Sequence, residues 1–244
     1  MSDLIKNEPD KDDLFVITDS AAAFAYTCTE KAACAGTGHI GSDGGSRQEP
    51  LYVIEDIEYM PLFRIHRMWQ RYHGIPWTIA ETPRLVIREQ TVDDVNELYG
   101  LYADKEIVKY TEDLYEDPDD EKEYMRQYID NQYRFFEYGI WAVTLKDQGT
   151  LIGRAGISLR EGYDIPEIGY VIGKDYQGRG YAKEALEAIL KYAADELEMN
   201  RFIAFTKEKN VPSVKLLKSL GFTHRRDELI KGGRHSMYFL TKCQ

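Results

Sequence analysis

Between a short apolar run, Ile168 to Ile172, and a helical stretch from Tyr181 to about Leu197 lies the segment Gly173-Lys-Asp-Tyr-Gln-Gly-Arg-Gly180. A glycine-rich turn that opens directly into a helix aims several backbone N–H groups at one point, at the positive end of the helix dipole. The chemistry this suits is anion binding, and the natural anion is a phosphate or pyrophosphate. Gly178 and Gly180 let the backbone approach such a ligand with no Cβ in the way, and Arg179 adds positive charge. Two other phosphate loops do not fit. The dinucleotide fingerprint needs a third glycine or alanine at fixed spacing, and the P-loop needs Gly-Lys-Ser/Thr.

The elements that must position this turn read as one continuous α/β unit over 84–244. Arg84–Arg88 is a first strand, and Val92–Tyr102 places apolar residues at helical spacing. The acidic stretch Glu112–Glu123 contains Pro118 and reads as a loop and helix entry. Asp119 or Asp120 would cap a helix running through Tyr124, Tyr128 and Phe135. Ile140–Leu145 and Leu151–Leu159, joined by the turn Lys146–Gly149, fit an antiparallel hairpin. After the glycine turn and its helix come a strand Phe202–Thr206, a helix Ser213–Leu220, and strands Thr223–Leu229 and Ser236–Thr241.

The pattern Gln177-x-x-Gly180-x-Ala182 resembles the acetyl-CoA pyrophosphate loop of the GNAT (GCN5-related N-acetyltransferase) superfamily. A second block, Asn210-Val-Pro-Ser213 through Leu217 to Gly221-Phe222, is similar to the Asn-x-x-Ser helix ending in Gly-Phe near that family's C-terminus. The element order is similar too. The resemblance implies a GNAT fold of the α/β (α+β) class, a mixed, largely antiparallel sheet flanked by helices. It implies acetyl-CoA as co-substrate and transfer of acetyl to a primary amine, on a small molecule or a protein N-terminus. Gln177, Gly178, Arg179, Gly180, Tyr181 and Ala182 would hold the pyrophosphate. Backbone groups of Val171, Ile172 and Gly173 would pair with the pantetheine arm as an added strand, with donors there polarising the thioester carbonyl. Asn210 and Ser213 would contact the cofactor, Asn210 serving equally as a helix cap.

Acetyl transfer needs an unprotonated amine, yet an alkylammonium with a pKa near ~10 is neutral only about once in a thousand at pH 7. A base must remove the proton, directly or through water. The resemblance assigns this to Glu167, at the start of the motif strand, with Glu81 and Glu137 as weaker candidates. The alternative for Glu167 is a solvent-facing strand-end carboxylate. The family's usual tyrosine for protonating the departing thiolate is replaced by Leu217, a variation similar to the ribosomal-protein-alanine N-acetyltransferase branch; Tyr170 and Tyr181 are other hydroxyls near the motif. The acceptor would meet roughly residues 102–138 and 224–238, rich in tyrosine and acid, including Tyr110, Glu112, Asp113, Tyr115, Glu116, Tyr128 and Tyr133. Either these bind a cation, or the tyrosines pack the helices and the acids are solvated. A non-catalytic acetyl-CoA sensor or scaffold is the competing function.

Composition bounds these readings. A formal charge of −11 over 244 residues argues against nucleic acid and is compatible with a cationic amine. Neither a membrane-length apolar run nor a leader pattern is seen, so a cytoplasmic enzyme without a membrane partner is expected. Cys28, Cys34 and Cys243 lack metal-site spacing and read as thiols, and no metal site is expected. The chain divides near Trp77 into 1–76 and 77–244. The first part reads as a small β-α-β-α subdomain: a strand Leu14–Thr18, an Ala-rich helix from Ser20 to about Ala35 capped by Gly36, a strand Leu51–Ile54 and a helix Tyr59–Tyr72. Thr18-Asp19-Ser20 with Ala32–Gly36 faintly resembles a late segment of haloacid-dehalogenase-like phosphatases, but the Asp-x-Asp nucleophile motif is lacking, so a non-catalytic remnant is expected. Asp19 or Ser20 is expected as a helix cap rather than a metal ligand.

Overall fold

The computed structural model describes residues 15–18, 33–37, 53–54, 60–111 and 113–242. The chain forms two compact units, Met1–Trp77 and Thr78–Gln244.

In the first unit, β1 (Phe15–Thr18), β2 (Ala33–Thr37) and β3 (Val53–Ile54) form a parallel sheet with β2 in the middle. Helix α1 (Leu62–Tyr72) follows, with the Arg67 guanidinium 4.0 Å from the centre of the Trp77 ring. The helix expected to reach Ala35 and be capped by Gly36 is corrected here. Ala33 pairs with Phe15 and Gly36 with Thr18, while Gly36 and Thr37 also pair β3. Alanine favours helix by intrinsic propensity, and ladder bonds to two flanking strands override it here. Asp19, Ser20, Cys28 and Cys243 lie outside the described residues, as does the crossover between β1 and β2.

The second unit starts with β4 (Thr78–Glu81) and β5 (Leu85–Arg88), followed by α2 (Asp94–Tyr102) and the single turn α3 (Lys105–Val108). Helix α4 (Pro118–Tyr128) continues through a π-type turn, Ile129–Tyr133, and a last helical turn, Arg134–Phe136. Then come β6 (Ile140–Leu145), β7 (Leu151–Ser158), β8 (Glu167–Ile172), α5 (Tyr181–Glu196), β9 (Arg201–Thr206), α6 (Val211–Ser219), β10 (Thr223–Ile230) and β11 (Gly233–Thr241). The strand order is β10-β11-β9-β8-β7-β6-β5-β4, and only the β8–β9 pair is parallel.

Helices cover both faces. On one, Val95 and Leu98 of α2 and Met125 of α4 pack with Ala142 and Leu151. On the other, α5 buries Leu186, Ile189 and Leu190, and Tyr192 meets Trp141 edge-on at 5.7 Å. Each such aliphatic side chain contributes about 1.5–3 kcal/mol on burial, so α5 is held firmly behind the glycine turn. The cap of α4 is Asp117 rather than Asp119 or Asp120. Its carboxylate accepts from Asp119 N at 2.9 Å, because Pro118 fits the first helical position and leaves the preceding residue to cap. Strand β4 and turn α3 had no clear sequence signal; both are short, and β4 is an edge strand.

Candidate active site

Strands β8 and β9 share a single bridged pair, Glu167 with Ile203, supported by Ile203 N donating to Pro166 O at 2.9 Å. Beyond it they separate, so an edge of β8 lies open in the middle of the sheet. An extended ligand with amide groups can fill such a slot as an added strand. The register tells which β8 groups face it. Gly173 N donates to Ile152 O at 2.8 Å while Ile172 pairs with Gly153. By antiparallel alternation Val171 then bonds Arg154 on β7, and Tyr170 and Ile172 face the slot. This corrects the expectation that Val171, Ile172 and Gly173 all serve an incoming arm. Gly173 O also accepts from Tyr176 N at 2.9 Å, and Ile172 O accepts from the Gln177 side chain at 2.9 Å. The open groups facing the slot are the N–H of Ile172 and the backbone of Tyr170.

At the C-terminal end of β8, Gly178 and Gly180 have φ of +74° and +84°. Only glycine adopts this region without strain, so backbone conformation, more than crowding, selects them. No side chain caps α5, and its first backbone bond is Glu184 N to Gly180 O. The N–H groups of Tyr181, Ala182 and Lys183 therefore have no intrahelical acceptor, the arrangement by which a helix N-terminus can receive an anion.

Sequence reasoning missed what holds this turn. Arg84, at the start of β5, donates through Nη1 to Arg179 O at 3.0 Å and through Nε to Glu184 at 2.7 Å, and stacks over Tyr181 at 4.5 Å. Thr82 Oγ1 and Arg84 N donate to the other Glu184 oxygen at 2.7 and 3.1 Å. Burial alone would raise the Glu184 carboxyl, but the bonds from Thr82 and Arg84 together hold it below its usual value. The acid in the first turn of α5 was the one visible signal; its partner stands 100 residues away.

At the other end of β8, Glu167 is clamped by Arg160, Nε to Oε2 at 2.6 Å and Nη2 to Oε1 at 3.0 Å. Its side chain is 13% exposed, so the solvent-facing alternative does not hold. A carboxylate so held keeps lone pairs for a water or an ammonium. Glu167 lines a cleft of about 470 Å³ with Ser158, Arg160, Glu161, Tyr163 and Glu228. The Tyr163 hydroxyl donates to Glu228, which also accepts from Arg226 Nε at 2.5 Å. Bonds from Tyr163 and Arg226 hold the Glu228 carboxyl below its ordinary value. Arg160 and Tyr163, in the loop before β8, were not foreseen. Glu81 lies on the far edge strand paired with Lys146 at 2.8 Å, and Glu137 ends the α4 extension with φ +59°; neither lines the cleft.

The acceptor-region tyrosines divide: Tyr102, Tyr133 and Tyr138 are buried, while Tyr115 and Tyr124 are exposed. Tyr133 is fully buried, and Tyr115, Tyr124 and Tyr128 form a chain with ring centres 5.7 and 6.0 Å apart. Glu112 lies outside the described residues. Asn210 caps α6 by accepting from Ser213 N at 3.3 Å. Ser213 Oγ accepts from the Tyr170 hydroxyl at 2.7 Å, linking β8 to α6 beside the slot. Burial, partly offset by this bond, pushes the Tyr170 hydroxyl up to about 12. Leu217 is buried at 1% exposure, a packing residue with no proton to give. Among the described residues no helix is long and apolar enough to cross a membrane, and no three His, Cys, Asp or Glu gather as a metal site.

The geometry fits acetyl-CoA: a cradle of orphan N–H groups for pyrophosphate, an open strand edge for pantetheine, and a carboxylate-lined cleft beyond. Comparison with known proteins agrees. Residues 84–223 match the acetyltransferase (GNAT) domain, more than half of the chain. The N-acetyltransferase YnaD of Bacillus subtilis, itself uncharacterised, is 33% identical over 62% of this chain and 84% of its own length. Among solved structures, the ribosomal-protein-S5-alanine acetyltransferase from Vibrio fischeri is 18% identical with a TM-score of 0.58, covering 66% of this chain and 95% of that one. The microcin C7 self-immunity acetyltransferase MccE, solved with acetyl-CoA and AMP, is 17% identical with a TM-score of 0.56, covering 66% and 94%. The chain belongs to the GNAT acetyltransferase family and is an acetyl-CoA-dependent N-acetyltransferase.

Proposed function

We propose that the chain acetylates a primary amine entering the cleft at the start of β8, with Glu167 as the base. The observation that carries this is the division of labour along one strand: open backbone donors at one end of β8 and a held, largely buried carboxylate at the other. Gln177, Gly178, Arg179, Gly180, Tyr181 and Ala182 form the loop that would hold the pyrophosphate, Gln177 by bracing the turn through Ile172 O. Ile172 and Tyr170 would bond the pantetheine amides and the thioester oxygen. Acetyl-CoA supplies the activated acyl group. Glu167 accepts the ammonium proton, directly or through a water on its remaining lone pairs. The Tyr170 hydroxyl already donates to Ser213 Oγ, so no side chain is assigned the thiolate's proton; with a thiol pKa of about 8.5, the thiolate departs without full protonation. Asn210 and Ser213 position α6 at the side of the slot. The first unit is assigned no catalytic part, and a cytoplasmic setting is part of this reading. Structures of like fold include a ribosomal-protein-S5-alanine acetyltransferase and a microcin C7 self-immunity acetyltransferase, so protein and small-molecule acceptors both belong in the test.

Release of CoA thiol from acetyl-CoA is the experiment, run across polyamines, aminoglycosides, amino acids and N-terminal peptides. Turnover with one class is expected; acetyl-CoA binding with no turnover on any acceptor would contradict the reading.

A further inference from the structure

Strands β7 and β8 present one row of side chains to the α2–α4 face. The cross-strand pairs are Arg154 with Val171, Gly156 with Gly169, and Ser158 with Glu167. The middle pair has no side chains; Gly156 is buried against the Gly139–Ile140 backbone, and the floor lies bare at Gly169. A Cβ added at Gly169 would meet only Ile140 Cδ1, at 3.7 Å, so the space above it is open. Gly169 and Val171 are only half-buried although β8 lies well inside an eight-stranded sheet. The trough thus has Glu167 at one end and Arg154 at the other.

Arg154 is the anomaly. It sits half-buried on an interior strand, where a guanidinium ordinarily has a carboxylate partner. Its Nε donates to the Tyr102 hydroxyl at 2.7 Å and it stacks on that ring at 4.8 Å, yet it makes no ion pair among the described residues. Both Nη atoms are unpaired and not sealed from solvent. Over the middle of the trough, at Ile140, which pairs with Gly156, the Tyr128 hydroxyl accepts from Ile140 N at 2.7 Å, and its own O–H has no acceptor among the described residues. Burial pushes this hydroxyl up to about 12 despite the pull of the Arg154 charge. The Arg154 end of the trough therefore offers guanidinium donors and positive charge with nothing among the described residues to receive them, in a chain of net charge −11.

We propose that Arg154 binds an oxyanion, a carboxylate or a phosphate, carried by the acceptor on the same molecule as the amine that Glu167 deprotonates. This rests on the amine-acetylation reading above. The acceptor is then zwitterionic, its two charges bridging the glycine floor. The two ends lie four residues apart, roughly 13 Å between Cα atoms, and the reach of both side chains shortens the gap to a few methylenes. Tyr102 is a positioning residue that fixes the guanidinium plane.

The test uses the full chain with ω-amino carboxylates and ω-aminoalkyl phosphates of two to six methylenes, each beside the alkylamine lacking the anion. At least one anionic member should be acetylated with kcat/KM at least tenfold above its neutral counterpart. Arg154→Gln should remove that preference while leaving the KM for acetyl-CoA and the rate on the neutral amine unchanged. Arg154→Lys should restore part of it, which guards against misfolding, and Tyr102→Phe should weaken it several-fold. Preference for the carboxylate or the phosphate series identifies the source of the oxyanion. If no anionic member surpasses its neutral counterpart, including when none reacts, the inference is overturned. If the wild type does not bind acetyl-CoA, the acetyltransferase reading fails instead, and calorimetry on the same sample separates the two.

Discussion

The two ends of β8 are built on different principles. Its C-terminal end presents main chain: three orphan N–H groups, two glycines of positive φ, and an open strand edge. Side chains there, Arg84, Glu184, Thr82 and Gln177, bond the loop itself and brace it. The N-terminal end presents side chains already paired, Arg160 on Glu167 and Tyr163 with Arg226 on Glu228. A main-chain cradle recognises a constant group and tolerates sequence change around it. A side-chain cleft can be retuned residue by residue, which is where choice of acceptor belongs.

Substitutions can break this contrast. Gly180→Glu should have the largest effect. A non-glycine residue at φ +84° costs about 1–2 kcal/mol and the carboxylate meets the pyrophosphate, so acetyl-CoA affinity should fall by about a hundredfold or more by calorimetry. Glu167→Gln should lower kcat by about 10²–10³ in steady-state assays and leave acetyl-CoA affinity in place, as removal of a general base does. An unchanged kcat would take Glu167 out of the mechanism.

Smaller effects sharpen the comparison. Arg84→Ala removes a brace whose guanidinium is half-exposed, worth about 1 kcal/mol, so KM for acetyl-CoA should rise about five- to tenfold with kcat unchanged. The same variant should act normally on acetyl-pantetheine, which has no pyrophosphate to place. A uniform loss on both substrates would mean that Arg84 supports the fold generally. Acid should release the same brace. Glu184 has a folded pKa below its unfolded value, so its contribution is complete above about pH 4.5 and is lost as pH falls through the folded value. The melting-temperature gap between wild type and Glu184→Gln should be constant from pH 7 to about 4.5 and shrink below it.

Local features of the site were legible in sequence. The turn from Gln177 to Ala182 and the cap at Asn210 are written in neighbouring residues, and short runs bounded by turns marked β6, β7 and β8. Features set by register were not. Val171 and Gly173 turn their backbone to β7, which depends on where Gly153 pairs. Arg84 and Glu184 are 100 residues apart, and Arg154 matters because no carboxylate stands beside it. The segment Ala33–Thr37 misled because its alanines favour helix, and pairing with two strands overrides that preference.

Acetyl-CoA affinity of Gly180→Glu and Glu167→Gln, titrated side by side against wild type, tests the division along β8 most directly. The expected result is binding lost in the first variant and unchanged in the second. Binding retained in both, or lost in both, would contradict it.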